Sequence, residues 1–213
     1  MGEIPYQWNA GLIFFIPKME GVVLDIKNRW PITILNTIYE IYAKVHSLCM
    51  QPLFNDIIHK SQTGFMQELS IFYNISMFWE LITFAKEKDE DIVVLLLDLE
   101  KAYDRVYRCF LEEVMLQLGF PMAWVVAVRA LYKNASSSVY VVGEVDTPFS
   151  ISRSVRQGCP LAPFLYLLII EAFHVYFNNH AFRIKGLQSG VDNKQVLDTK
   201  FADDTTLYVD GEE

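Results

Sequence analysis

The sequence predicts an α+β fold, an antiparallel sheet with helices packed on one face, and three observations lead there. Six consecutive aliphatics, Ile92 to Leu97, end at Asp98, which reads as a short buried strand. Two apolar segments flank the tetrad Phe201-Ala202-Asp203-Asp204, the pattern of a tight hairpin. Between them, helical and strand-like stretches run in the order strand, helices, hairpin, helix, hairpin, instead of the strict alternation of a parallel sheet.

Taken in order, Leu12 to Pro17 reads as a strand, Glu20 and Gly21 as a turn, and Val22 to Ile26 as a second strand. Residues 36–58 carry Ile38, Ile41, Tyr42, Val45, Leu48, Leu53 and Ile57 at helical spacing. A second helix covers Ser70 to Lys86, and the charged cluster at 86–91 is a solvated turn. The aliphatic run 92–97 is β-branched and short enough for a strand covered on both faces. Residues 106–118 and 121–133 form helices split at Gly119 and Pro121. Ser137 to Val142 and Pro148 to Ser152 alternate around Gly143 and Asp146 as a hairpin. Leu161 to Phe177 is a mostly buried helix, and Val196 to Phe201 and Thr205 to Val209 are the strands of the last hairpin.

Composition narrows the class. In 213 residues, 52% hydrophobic and 14% aromatic side chains supply a packed interior and argue against disorder. The longest charge-free apolar stretch, Gln157 to Ile170, is too short to cross a bilayer and holds Gly158 and two prolines, so no membrane partner is expected. Glu3 stands where a signal peptide needs positive charge. The expected location is therefore intracellular, in nucleus or cytoplasm, with no targeting signal to choose between them. Cys49, Cys109 and Cys159 are odd in number and widely spaced, which argues against a disulfide framework or a zinc site and fits a reducing compartment. The four histidines show no ligand spacing. Net charge is −8, all of it carried by residues 61–213. A nucleic-acid binder usually shows a basic face, so this acidity needs an explanation.

Three segments carry chemistry. In Val93 to Val106 (VVLLLDLEKAYDRV), Asp98 closes a buried strand, a position that holds a carboxylate rigidly at a crevice. In Lys200 to Val209 (KFADDTTLYV), Asp203 and Asp204 sit in a turn between apolar strands. Were Asp98 to meet this pair within about 5 Å, each carboxylate pair would repel by roughly 3 kcal/mol at an effective dielectric near 20. Such a group protonates or binds divalent cations, and carboxylate oxygens are the ligands Mg²⁺ prefers. In Ser154 to Pro163 (SVRQGCPLAP), Gln157-Gly158 precedes two prolines and a helix, making a rigid loop that a backbone can approach closely. Singly, each has an ordinary structural reading: an Asp cap, an Asp turn, a helix entry.

In this order, however, the three resemble the palm of reverse transcriptases, with Asp98 and Tyr103 in the first block, Gln157-Gly158 in the second and Phe201 to Asp204 in the third. DLEKAYDRV, VRQGCPLAP and FADD are similar to the palm blocks of LINE-type (non-LTR) enzymes, in wording closest to those of plants. GLIFFIPK, PITILNTIYEIYAKV and SQTGF resemble that family's finger blocks, so the resemblance covers nearly the whole chain.

The resemblance implies a right-hand polymerase fold, with fingers at about 1–90 and 119–150 and palm at about 91–118 and 151–213. It implies an RNA-directed DNA polymerase that takes an RNA template, a DNA primer and deoxynucleoside triphosphates, with two Mg²⁺ (or Mn²⁺) ions. Asp98, Asp203 and Asp204 correspond to the metal-binding acids, and Leu99 offers its backbone carbonyl. One ion lowers the pKa of the primer 3′-hydroxyl while the other holds the triphosphate and the leaving pyrophosphate. Backbone N–H groups of Lys101, Ala102 and Tyr103 face the triphosphate, and the Tyr103 ring lies under the sugar, where it crowds a ribose 2′-hydroxyl. Gln157 and Gly158 line the nucleotide and template base, and Lys18 and Arg29 are candidate phosphate contacts. Cations bound by the acids would explain part of the negative charge.

Several positions depart from the family pattern. Trp30 separates Arg29 from Pro31-Ile32, Leu69 and Cys49 stand where relatives carry Arg, and Tyr107 stands where an Asp often follows. The expectation is also of a fragment without thumb or endonuclease regions. The alternative to a polymerase is a catalytically silent remnant that binds nucleic acid or protein at most. A phosphohydrolase on the same acids lacks a general-base motif.

Overall fold

A computed structural model describes residues 5–18, 25–179, 184–190 and 194–211. In chain order its elements begin with α1 (Tyr6–Asn9), β1 (Ala10–Pro17), β2 (Arg29–Leu35), α2 (Thr37–Ile57), α3 (Ile71–Lys88) and β3 (Ile92–Leu97). There follow α4 (Arg108–Gln117), α5 (Met122–Tyr132), β4 (Ser136–Val141), β5 (Glu144–Val145), β6 (Phe149–Ser150) and α6 (Ala162–Phe177). The last are β7 (Leu187–Gln188), β8 (Gln195–Val196), β9 (Asp198–Phe201) and β10 (Asp204–Asp210). Single 3-10 turns lie at Ile26–Asn28 and Ala102–Arg105. The chain forms two compact units, Met1–Gln51 with Tyr103–Tyr166 and Pro52–Ala102 with Leu167–Glu213.

In the first unit β1 is the middle of a sheet, antiparallel to β2 and parallel to β4. The strand expected at Val22 to Ile26 is replaced in this role. Residues 22–24 lie outside the described set, Ile26 opens a 3-10 turn, and β2 takes the place beside β1 with Pro17 opposite Arg29. The hairpin expected after Ser137 forms, but its return strand is broken. β5 and β6 pair separately with β4, and Pro148, which has no N–H for a ladder, falls in the gap. Helices α4 and α5 bury Leu111, Met115, Val125 and Leu131 almost completely. Tyr107 is the N-cap of α4 and makes no side-chain capping bond, a role an Asp there could fill.

Helix α2 forms where expected but buries a different face. Ile38, Ile41, Val45 and Leu48 are about half exposed, whereas Tyr39, Ala43, Ser47, Met50 and Phe54 are at most 2% exposed. Both faces carry apolar residues, and the small side chains Ala43 and Ser47 favour close approach on the second. Periodicity fixed the helix but could not choose its phase.

The second unit holds the sheet β3-β10-β9, antiparallel throughout. Among the described residues strand β3 pairs with β10 alone, as an edge strand, and is not covered on both faces. Ile92 and Val94 pack on Leu81, Leu187 and Tyr208, while Val93, Leu95 and Leu96 are exposed. Helix α3 starts on Ser70, whose hydroxyl accepts the Phe72 N–H, and ends at Asp89 in the left-handed region. The charged cluster therefore begins as its last turn, with Lys86 and Lys88 complementing the helix dipole. The part of helix α6 that belongs to this unit buries Leu167 and Leu168 completely.

Candidate functional site

The register of β3 and β10 positions the acids. Leu97 pairs with Thr205, so Asp98 and Asp204, the next residue outward on each strand, meet at the same end of the ladder. Asp204 also pairs with Phe201, leaving Ala202 and Asp203 as a two-residue hairpin loop. Of the three carboxylates, Asp204 feels the other two. Asp204 is raised above its ordinary value by partial burial first, then by the charges of Asp203 and Asp98. Among the described residues no basic side chain pairs with any of the three. Asp98 and Asp204 are exposed and Asp203 half-buried, so the group is open to solvent. Hard oxygen donors, mutual repulsion and an open approach fit a divalent cation such as Mg²⁺ or Mn²⁺. Leu99 follows half-buried, and Lys101 is exposed at φ 54° before the 3-10 turn that contains Ala102.

In the first unit, the loop Ser154 to Cys159 is tied to the segment that follows Ala102. Val155 donates its N–H to the Tyr103 carbonyl at 3.0 Å, and Ser154 donates to Val106 at 2.8 Å. The Tyr103 ring stacks on Tyr166, centroids 4.8 Å apart. The Gln157 carbonyl accepts the Thr33 N–H at 2.9 Å. Gly158, at φ 111°, lies so close to β2 that a Cβ would sit 2.2 Å from the Thr33 carbonyl oxygen. Tyr103, Gln157, Gly158 and Ile32 line an open cavity of about 330 Å³. Lys18 and Arg29 come to one end of the β1–β2 pair, where Lys18 Nζ lies 4.8 Å over the Trp30 ring. The inserted tryptophan thus serves as a platform for one of the two candidate cations.

Three features escaped the sequence reading. Arg156, 2% exposed, donates to the carbonyls of Asn9 and Ser136 beneath the Gln157 loop. Its signal in the sequence is only a charge immediately before the long apolar stretch. Gln62, within SQTGF, is buried against the Ala202 peptide. Last, His59, His174 and Asp198 bring ligand atoms within 4.8 Å of one another, which histidine spacing could not reveal. That group already holds a cation: the Lys200 ammonium is bonded to Asp198 Oδ2 and lies 3.2 Å from His174 Nδ1. A metal ion would have to displace it, so the donor set fits a buried ion pair better than a metal centre.

A model of the family described as reverse transcriptase (RNA-dependent DNA polymerase) matches residues 16–213. The chain belongs to the reverse transcriptase family. Its relatives are proteins of non-LTR retrotransposons. It is 32% identical over 206 residues to the 149 kDa protein of transposon TX1 from Xenopus laevis, covering 97% of this chain and 15% of that protein. It is 22% identical over 212 residues to the Pol polyprotein of the R2 element from Popillia japonica, covering 99% of this chain and 29% of that one. The chain thus spans under a third of the length of these two relatives. In fold it is similar to telomerase from Candida tropicalis in complex with a fragment of telomeric RNA (TM-score 0.62, 14% identity, all of this chain and 38% of that one). Among the described residues of the domain, no helix is long and apolar enough to cross a membrane.

Proposed function

We propose that this chain is the catalytic module of an RNA-directed DNA polymerase, extending a DNA primer on an RNA template from deoxynucleoside triphosphates. The observation that carries the reading is the meeting of Asp98 with Asp203 and Asp204 at the open end of the β3–β10 ladder, with no basic partner among the described residues. Asp98 and Asp203 are the principal ligands of two Mg²⁺ or Mn²⁺ ions, joined by Asp204 and the Leu99 carbonyl. Bound there, the ions supply Lewis-acid activation of the primer 3′-hydroxyl and charge neutralisation of the triphosphate. Tyr103 supports the sugar, its ring held flat by Tyr166. The Gln157–Gly158 backbone, fixed on Thr33, gives the nucleotide base a rigid wall. Backbone N–H groups at Lys101 to Tyr103, with Lys18 and Arg29, contact phosphates. On this reading the second unit's acid-bearing sheet is palm and the β1–β2 pair belongs to the fingers. The finer likeness to plant LINE-type enzymes rests on the wording of the blocks alone.

Primer extension tests the proposal. The purified chain, given an RNA template with an annealed DNA primer, the four triphosphates and Mg²⁺ or Mn²⁺, should add nucleotides, and Asp203→Asn should add none. Extension that survives Asp203→Asn contradicts the assignment of the acids.

A further inference from the structure

We propose that Gln62 is the positioning residue for the acid-bearing turn, a part of the site that none of the three palm blocks contains. The inference rests on reading Asp98, Asp203 and Asp204 as cation ligands. The loop between β9 and β10 has only two residues, and the first, Ala202, sits at φ 58°. Hairpin loops of this length usually give such a position to glycine, because a Cβ there is strained. An alanine stays only if something outside the turn holds it.

Gln62 supplies that hold. Its Oε1 accepts the Ala202 N–H at 3.0 Å and its Nε2 donates to the Ala202 carbonyl at 3.0 Å, so one side-chain amide engages both polar groups of one residue. The same Oε1 accepts the Gly64 N–H at 2.8 Å, which fixes the amide's orientation. The backbone of this segment is itself pinned to β9: Lys200 donates to the Ser61 carbonyl at 2.7 Å, and Thr63 donates to the Lys200 carbonyl at 2.9 Å. Gly64 allows the approach, since a Cβ there would stand 2.3 Å from the Ala202 nitrogen. Gln62 is 1% exposed, so water cannot replace these bonds at low cost. The residue touches neither carboxylate. It acts by fixing the backbone from which Asp203 and Asp204 project, and cation binding by several carboxylates tolerates little displacement.

Mn²⁺ binding to the purified chain, titrated through the paramagnetic signal of the free ion, tests this without turnover. Gln62→Met keeps the volume and removes all three bonds, and should weaken Mn²⁺ binding by about ten-fold or more. Gln62→Glu keeps the acceptor but sets an oxygen against the Ala202 carbonyl, and should fall between Gln62→Met and the parent chain. Asn74→Ala removes a 2.8 Å bond to the Lys200 carbonyl and is the control. It should lower the melting temperature and leave Mn²⁺ affinity unchanged. The Ala202 amide should exchange slowly with solvent in the parent chain. Undiminished Mn²⁺ binding by Gln62→Met overturns the inference. If that variant does not fold, undiminished binding by Gln62→Glu, or fast Ala202 exchange in the parent chain, overturns it equally. A parent chain that binds no Mn²⁺, or binds it as well as Asp203→Asn does, refutes the cation-ligand reading itself.

Discussion

Asp198 and Asp204 lie on neighbouring strands of one small sheet, and their surroundings treat them in opposite ways. Asp198 is buried, yet its carboxyl is held far below the usual range: burial alone would raise it, but the His174 hydrogen bond and the Lys200 ammonium outweigh that. Asp204, more open to solvent, is raised, by partial burial first and then by the charges of Asp203 and Asp98. A carboxylate that serves the fold is neutralised by partners, whereas carboxylates left to repel one another at a surface are poised for a cation from solution. The two cases differ in what a mutation should do.

The largest effect belongs to the buried pair. Lys200→Met strands the Asp198 charge in the interior and should cost about 3–5 kcal/mol, measured by urea unfolding at pH 7. Adding Asp198→Asn to that variant should return much of the loss, because the uncompensated charge disappears with it. If the double variant is no better than Lys200→Met alone, the pair is not coupled as its geometry indicates.

Next comes pH. A depressed carboxyl contributes stability that is present above its ordinary value, about 3.9, and lost as pH falls through the range below. The groups facing Asp198 are His174, Lys200, His59 and Tyr208. His59, stacked on His174 at 4.1 Å, is held below the ordinary imidazole value by burial first and by the His174 charge second. For a lowered imidazole, stability falls as pH drops through about 6.5, where the unfolded chain takes up the proton first. Acid unfolding should therefore show two windows, and His59→Gln should remove the upper one alone. A single window in the parent chain would show that His59 does not titrate apart from Asp198.

At the surface group the sign reverses and the size shrinks. Asp98→Asn with Asp203→Asn should leave the metal-free chain as stable as before or stabilise it by up to about 1 kcal/mol, since exposed charge interactions are screened. A clear loss of stability would mean that these acids, too, are structural partners.

What the sequence made legible follows the range of the interaction. The helices α3, α5 and α6 and the hairpin of β9 and β10 were readable because caps, breaks and alternating apolar residues lie within the element itself. Helix α2 was found with the wrong face inward, because its second apolar face includes Ala43 and Ser47, whose small side chains carry little hydrophobic signal. The exposure of β3 was missed because a run of aliphatics does not say which neighbours the strand has. The acids stood out through motif order. Gln62 and the His174–Asp198–Lys200 network did not, since a hydrogen bond between residues 62 and 202 leaves no local pattern. Buried polar contacts between distant segments were the part that only the fold could supply.

On the proposed reading, Asp98, Asp203 and Asp204 repel one another in the free state and are relieved by a divalent cation. Melting the purified chain with and without Mg²⁺ or Mn²⁺, beside the Asp98→Asn, Asp203→Asn double variant, tests it most directly. The cation should raise the melting temperature of the parent chain and leave the variant unmoved. An equal shift in both, or no shift in the parent, would contradict it.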